Sequence, residues 1–219
     1  DGDAIGSTLG LYHFLKNQGH DVQVIAPTDF PDFLKWMPEA DRILIYPDQE
    51  SRAEQRIADS SLIFTLDFNN LLRAKPLTSF LQKSLATFVM IDHHQQPDTY
   101  ATITYSDEKA SSTCELIYNT IVSLSSQEAI NQTIATCLYT GIMTDTGGFR
   151  FSMTSPQTHR VAAVLLEKGA NCAQIASEVL DSYSIDRLQL LGTVLDGLTY
   201  LKEYKTAYMS VSSKTLKQF

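Results

Sequence analysis

Short apolar runs with strand character alternate with amphipathic, helix-like segments through the first half of the chain. The apolar runs predict strands at 22–26, 42–46, 62–66 and 88–91. Helical spacing predicts helices at 9–16, at 52–58 and shortly before Phe88. Continuously apolar strands separated by helices are typical of a parallel sheet that is covered by helices on both faces. We therefore expect an α/β fold.

After Ala110 the pattern becomes mostly helical. Helical spacing predicts helices near 111–124, 127–143, 156–168, 172–181 and 184–200. The last apolar stretch, TAYMSVS at 206–212, alternates as a strand does. We expect three parts: an α/β domain at 1–183, a connecting helix at 184–200, and the start of a second α/β domain at 201–219.

Composition and charge narrow the class of protein. The 219 residues are 43% hydrophobic, which is enough for a packed core, and no apolar run approaches the ~18 residues of a membrane helix. Three cysteines without a CxxC pair argue against a disulfide scaffold and favour the reducing cytoplasm. The net charge of −8 argues against a stable complex with long duplex nucleic acid, which usually requires a basic face.

Acidic and imidazole side chains follow the two most apolar strands. LIFTL at 62–66 runs directly into Asp67, and FVMI at 88–91 runs into Asp92, His93 and His94. In an open parallel sheet, ligands bind beyond the carboxyl ends of the strands. Adjacent histidines after an aspartate are hard to explain by packing alone, because neighbouring side chains at a strand end diverge. We therefore expect a functional site at this edge of the sheet.

Further aspartates can reach the same edge: Asp1 and Asp3 in the opening DGD, and Asp145 at the end of an apolar helical run. Several carboxylates in one place repel each other unless a cation is bound. Carboxylate and imidazole ligands suit Mn²⁺, Fe²⁺ or Zn²⁺, and a carboxylate-rich set without cysteine favours Mn²⁺. Because these ligands are more than one ion needs, we expect two ions with Asp67 as the bridging ligand.

The segments DGDAIGS, TLDFNN, MIDHH and GIMTDTGGFRF occur in the order that is typical of the DHH phosphoesterase family, which the chain resembles over about residues 1–183. The stretches ASSTCELIY and GIMTDTGGFRFSMTSPQTHRVAAVLLEKGA are similar to its oligoribonuclease and pAp-phosphatase (NrnA-type) branch. The resemblance implies Mn²⁺-dependent hydrolysis of short oligonucleotides or nucleotide phosphates, such as pApA and pAp. The expected reaction is in-line attack on phosphorus by a hydroxide that bridges two ions.

The resemblance also assigns metal ligands. Asp1 would bind the first ion, and Asp67 would bridge both. Asp3, His93 and Asp145 would bind the second ion. A histidine ligand and a strand are expected before the first residue, and a Gly-rich substrate-binding motif after the last one.

Other residues have predicted roles beside the ions. The resemblance implies that His94 contacts the phosphate and offsets charge in the transition state, and that Asp92 holds His93 in its metal-binding tautomer. The sequence itself offers four weaker candidates for contacts with substrate phosphate: Arg73, Arg150, Ser111 and Ser112. The two serines qualify because free N–H groups at a helix start favour anions.

Several alternatives remain open at this point. A cyclic-di-AMP phosphodiesterase and a manganese pyrophosphatase would share these motifs. A RecJ-like single-strand DNA exonuclease would need a basic groove, which the composition does not indicate. A non-catalytic nucleotide-binding module is expected to lack at least one metal ligand. The five predicted ligands and His94 are all present: Asp1, Asp3, Asp67, His93, His94 and Asp145. The expected partners are a short oligonucleotide or nucleotide, no membrane, and a second copy of the chain as a possible homodimer.

Overall fold

A computed structural model describes all 219 residues, which divide into two compact units, Asp1–Val179 and Leu180–Phe219. The strands of the first unit are β1 (Ile25–Ala26), β2 (Leu44–Ile45), β3 (Leu62–Leu66), β4 (Thr87–Asp92) and β5 (Ile103–Ser106). Its helices are α1 (Gly2–Asn17), α2 (Glu50–Asp59), α3 (Thr78–Lys83), α4 (Thr113–Leu124), α5 (Gln132–Asp145), α6 (Pro156–Glu167) and α7 (Cys172–Ala176). The α/β class is confirmed.

The strands of this unit are parallel but form two sheets. β3, β4 and β5 are neighbours in that order, and β1 pairs with β2. A groove of about 720 Å³ lies between the two sheets, lined by residues of β1, β3 and α1. The predicted strands at 22–26 and 42–46 are longer than the paired segments, which comprise two residues each in β1 and β2.

Helices cover both faces of the three-stranded sheet. Phe88 of β4 packs on one side in a cluster with residues of α2 and α3. Val89 and Ile91 of the same strand belong to the opposite side, in a larger cluster with residues of α1, α4 and α5. This alternation follows from the two-residue period of a strand. Strand β5 was not predicted, because its short ITYS sequence is largely exposed at the sheet edge.

Helices α1 and α5 approach each other closely along a line of glycines. Gly2, Gly6 and Gly10 are spaced four residues apart and therefore lie on one face of α1. A Cβ atom on Gly6 would lie 2.6 Å from the carbonyl oxygen of Cys137 and 3.1 Å from the backbone nitrogen of Gly141, both in α5. The close approach places Asp3, in the first turn of α1, beside the end of α5.

The second unit contains helix α8 (Ile185–Asp196), an antiparallel hairpin of β6 (Thr199–Leu201) and β7 (Thr206–Tyr208), and the short helix α9 (Ser213–Leu216). The predicted helix at 184–200 is therefore too long, since Gly197 follows the last helical residue and β6 begins at Thr199. The predicted strand at 206–212 pairs only over β7. None of the helices combines the length and apolar character needed to cross a membrane.

Candidate metal centre

The carboxyl ends of β3 and β4 deliver four of the predicted residues to one place. Asp67 follows β3 with a φ of 64°, a left-handed conformation that aspartate tolerates better than most residues. Its backbone N–H donates to the carbonyl of Ile91 at 3.2 Å, so Asp67 is still hydrogen-bonded to the end of β4. That strand continues into His93 and His94. The structure therefore brings these residues together at the carboxyl edge of the sheet, where the sequence predicted them.

His93 lies at the centre of the carboxylates. Its Nε2 is 3.3 Å from Asp145 Oδ2, 3.6 Å from Asp67 Oδ1 and 3.8 Å from Asp3 Oδ2. Its Nδ1 lies 3.3 Å from the carbonyl oxygen of Ala110. A proton on Nδ1 donates to that carbonyl and leaves the Nε2 lone pair facing the three carboxylates. Nε2 is therefore the atom of His93 that could bind a metal ion.

The interpretation of Asp92 as the residue that orients His93 is wrong. Asp92 is fully buried and accepts from His94 twice: Oδ1 lies 2.7 Å from the His94 ring Nδ1, and Oδ2 accepts from its backbone N–H at 2.9 Å. Residues two apart at a strand end point to the same side, so the partner of Asp92 is His94 and not its immediate neighbour. The bond to Nδ1 leaves Nε2 of the half-buried His94 ring free.

Asp3 is held by the start of helix α4. Its carboxylate is fully buried and accepts from the backbone N–H of Thr113 at 2.6 Å and from that of Cys114 at 2.8 Å. The hydroxyl of Thr113 donates to Asp67 Oδ1 at 3.1 Å. Free N–H groups at a helix N-terminus bind anions, and here the anion is a side chain of the same protein. Thr113 was not predicted from the sequence. The free N–H groups at the start of this helix were interpreted there as a site for substrate phosphate.

The structure does not bring Ser111 and Ser112 to the site as substrate contacts. Both are buried and have internal partners: the Ser111 hydroxyl donates to Glu115 at 2.6 Å, and the Ser112 hydroxyl accepts from the backbone N–H of Glu115 at 3.1 Å. The prediction that they bind phosphate is corrected, because Asp3 already takes two of the free N–H groups of this helix end.

Asp1 and the two arginines lie outside the cluster of potential ligand atoms. Asp1 caps helix α1 by accepting from the backbone N–H of Asp3 at 2.9 Å. Arg150 is exposed, and its Nε donates to the Gly147 carbonyl at 2.6 Å. Arg73 is exposed on the 3₁₀ turn that follows Asp67. The contacts of these three residues with metal or substrate stay predictions.

Two overlapping groups of ligand atoms could hold metal ions, each with its atoms within 4.8 Å of one another. Asp3, His93 and Asp145 form one group, and Asp67, His93 and His94 form the other. Burial, followed by the charge of Asp3, raises the pKa of Asp67 to about 8. Burial also raises the pKa of Asp3, to about 6, although hydrogen bonds from backbone N–H groups act in the opposite direction. The pKa of Asp145 is raised by burial as well. Crowded buried carboxylates of this kind fit a divalent cation, which offsets their mutual repulsion.

Comparison with known proteins agrees with this geometry. The family model "DHH family, N-terminal domain" matches residues 1–142. The chain is 31% identical over 91% of its length to the "Bifunctional oligoribonuclease and PAP phosphatase NrnA" of Thermus thermophilus. It is 28% identical over its whole length to the probable protein of that name in Streptococcus mutans. The chain spans 56% and 65% of the lengths of these two relatives.

A solved structure is similar over the whole chain. An exopolyphosphatase-related protein from Bacteroides fragilis superimposes with a TM-score of 0.96 at 40% identity, and the chain covers 64% of that protein. The family match covers more than half of the chain and includes Asp3, Asp67, His93 and His94. The chain belongs to the DHH family, and its curated relatives place it in the NrnA-type branch.

Proposed function

We propose that this chain contains the metal-binding part of a phosphoesterase that hydrolyses short oligonucleotides or nucleotide phosphates, such as pApA and pAp. The observation that carries the proposal is the cluster of three carboxylates around the Nε2 atom of His93. The names of the two curated relatives support the substrate class. The net charge of −8 favours a short substrate over a long duplex.

The proposed cofactor is a pair of Mn²⁺ ions. Asp3, His93 and Asp145 would hold one ion, Asp67 would lie between the two, and Asp1 would contribute to the other. When bound, two such ions supply an activated water for in-line displacement and offset negative charge at phosphorus. The carboxylate-rich donor set without cysteine supports Mn²⁺ over softer metals.

His94 is proposed to act on the substrate. Its Nδ1 is engaged by Asp92 at 2.7 Å, and about a third of its side chain is exposed. When both ring nitrogens carry a proton, Nε2 can donate to a phosphate oxygen, and the Asp92 carboxylate would stabilise this charged form of the ring as negative charge develops. Arg73 and Arg150 remain weaker proposals for phosphate contacts.

The cellular location and the partners of the protein are further proposals. We place it in the cytoplasm, which is supported by three free cysteines. A nucleotide-sized substrate is the proposed partner, without a stable duplex complex. A homodimer remains a prediction.

The test is an assay of Mn²⁺-dependent AMP release from pApA by the full-length protein. Asp67→Asn should abolish turnover while the fold is retained, since asparagine also tolerates the left-handed conformation at this position. Asp48→Asn removes an exposed carboxylate on a 3₁₀ turn and serves as the matched control. Substantial turnover by Asp67→Asn would refute its role as the bridging ligand.

Other results would redirect the proposal. If the wild type binds two Mn²⁺ per chain but leaves pApA intact, the site stands and the substrate is wrong. Pyrophosphate, polyphosphate, cyclic di-AMP and longer single-stranded DNA would then be assayed. If neither turnover nor metal binding is found, the chain is a binding module.

A further inference from the structure

Thr113 donates hydrogen bonds to two carboxylates that are distant from each other in the sequence. Its backbone N–H donates to Asp3 Oδ2 at 2.6 Å, and its hydroxyl donates to Asp67 Oδ1 at 3.1 Å. The residue is fully buried, so water does not compete for either bond. We propose that Thr113 is a positioning residue that sets the separation and orientation of Asp3 and Asp67 for metal binding. This inference rests on the proposed function of the site.

The two carboxylates need such a link because they belong to different elements. Asp3 lies in the first turn of α1, whereas Asp67 follows the end of β3. Each carboxylate can rotate about its own side-chain bonds, and mutual repulsion favours their separation. Hydrogen bonds to a charged acceptor are among the stronger ones in proteins, and Thr113 directs one to each carboxylate. Cys114 fixes the second oxygen of Asp3 at 2.8 Å.

Thr113 is itself held from two helices. It is the first residue of α4, whose N-cap Ser112 accepts from the backbone N–H of Glu115 at 3.1 Å. The buried Glu115 Oε2 accepts from the Ser111 hydroxyl at 2.6 Å and from the Thr158 hydroxyl of α6 at 2.9 Å. The start of α4 is thus tied to its own first turn and to α6. This network gives Thr113 a fixed position from which to orient the metal ligands.

The test compares Mn²⁺ affinity by calorimetric titration, which requires no substrate. Thr113→Val keeps the size of the side chain and the backbone N–H but removes the hydroxyl that binds Asp67. Because loss of a group that orients a metal ligand typically costs 10–100-fold in metal affinity, we expect a weakening of about that size. Thr113→Ser retains the hydroxyl and should bind Mn²⁺ within about threefold of the wild type. Thermal unfolding is measured in parallel.

The matched control is Thr120→Val in the same helix. The Thr120 hydroxyl donates to the Leu116 carbonyl at 2.8 Å and has no metal-ligand partner, so its removal should leave Mn²⁺ affinity unchanged. If Thr113→Val fails to fold, Thr113→Ala against Thr113→Ser makes the same comparison. Equal Mn²⁺ affinity with and without the hydroxyl would refute the positioning role and leave the phosphoesterase proposal intact. A wild type that binds no Mn²⁺ would instead overturn both.

Discussion

At the scale of single residues, the adjacent histidines have separate surroundings. His93 is buried, with Nε2 toward three carboxylates and Nδ1 toward the Ala110 carbonyl. His94 is more exposed, and the buried Asp92 engages its Nδ1. One ring therefore faces carboxylates with which it could share a metal ion, and the other is paired with Asp92 and is proposed to contact the substrate. The two substitutions should have different effects.

His94→Ala should lower kcat by about 100-fold or more, because removal of a group that offsets charge in a transition state typically has an effect of that size. Mn²⁺ affinity should change by less than about threefold. The measurement pairs steady-state kinetics on pApA with a Mn²⁺ titration of the same protein. His20→Ala, at an exposed histidine, is the control. A large loss of bound Mn²⁺ in His94→Ala would identify it as a ligand.

The buried carboxylates also predict how the metal-free protein responds to pH. The pKa of Asp67 is raised from 3.8 to about 8 and that of Asp3 to about 6, so the folded state binds protons more tightly than the unfolded state does. The stability that this provides is complete below pH 3.8 and is lost as pH rises toward 8. In EDTA, the Tm should therefore fall between pH 5 and pH 8.

Added Mn²⁺ should raise the Tm more at pH 8 than at pH 5, because a bound cation stabilises the ionised carboxylates. Asp67→Asn should flatten the fall seen in EDTA, since the group with the most strongly raised pKa no longer titrates. Differential scanning calorimetry at several pH values measures both effects. A Tm in EDTA that rises over this range would contradict the prediction.

At the scale of elements, the packing of α1 on α5 determines how close Asp3 comes to Asp145. The backbone of Gly141 in α5 lies against Asp3, since a Cβ there would come within 3.1 Å of the Asp3 Cα and Oδ1. Gly2 and Gly6 allow the same approach from the side of α1. Small residues at a helix interface let the two backbones approach closely, and here the consequence is a shorter distance between two proposed metal ligands.

Gly6→Ala should destabilise the first unit by about 1–3 kcal/mol, the usual cost of overpacking. The added Cβ would lie 2.6 Å from the Cys137 carbonyl oxygen, and backbone cannot move aside as a flexible side chain can. Gly192→Ala in α8 is the control, because its Cβ meets nothing within 4 Å and alanine is the better helix former. Denaturant unfolding measures both variants, and an unchanged midpoint for Gly6→Ala would contradict the packing argument.

The elements also show what could be predicted from the sequence. The positions of Asp67 and His93 could be predicted because each directly follows an apolar strand or its last residue, and the ends of parallel strands meet at one edge of a sheet. This pattern is local in the sequence. The partner of Asp92 was mistaken, although the two-residue period of a strand already indicates His94. Thr113 could not be found in this way, because a Ser-Ser-Thr helix start has the same sequence whether its N–H groups bind a substrate phosphate or the protein's own Asp3. Which anion it binds depends on the packing of α1 against α4.

At the scale of the whole molecule, the candidate site depends on contacts between distant parts of the first unit. Its residues come from the start of α1, the ends of β3 and β4, and the end of α5. Each of these elements contributes only one or two of the residues, and the elements are widely separated in the sequence. Such long-range contacts form only when the unit has folded.

A cation bound by Asp3, His93 and Asp145 would therefore cross-link distant parts of the chain. A cation held by these three side chains would close two loops of about 90 and about 50 residues, as a pair of disulfide bonds does elsewhere. Unlike a disulfide, this cross-link would be reversible, and its strength would follow the concentration of the free ion.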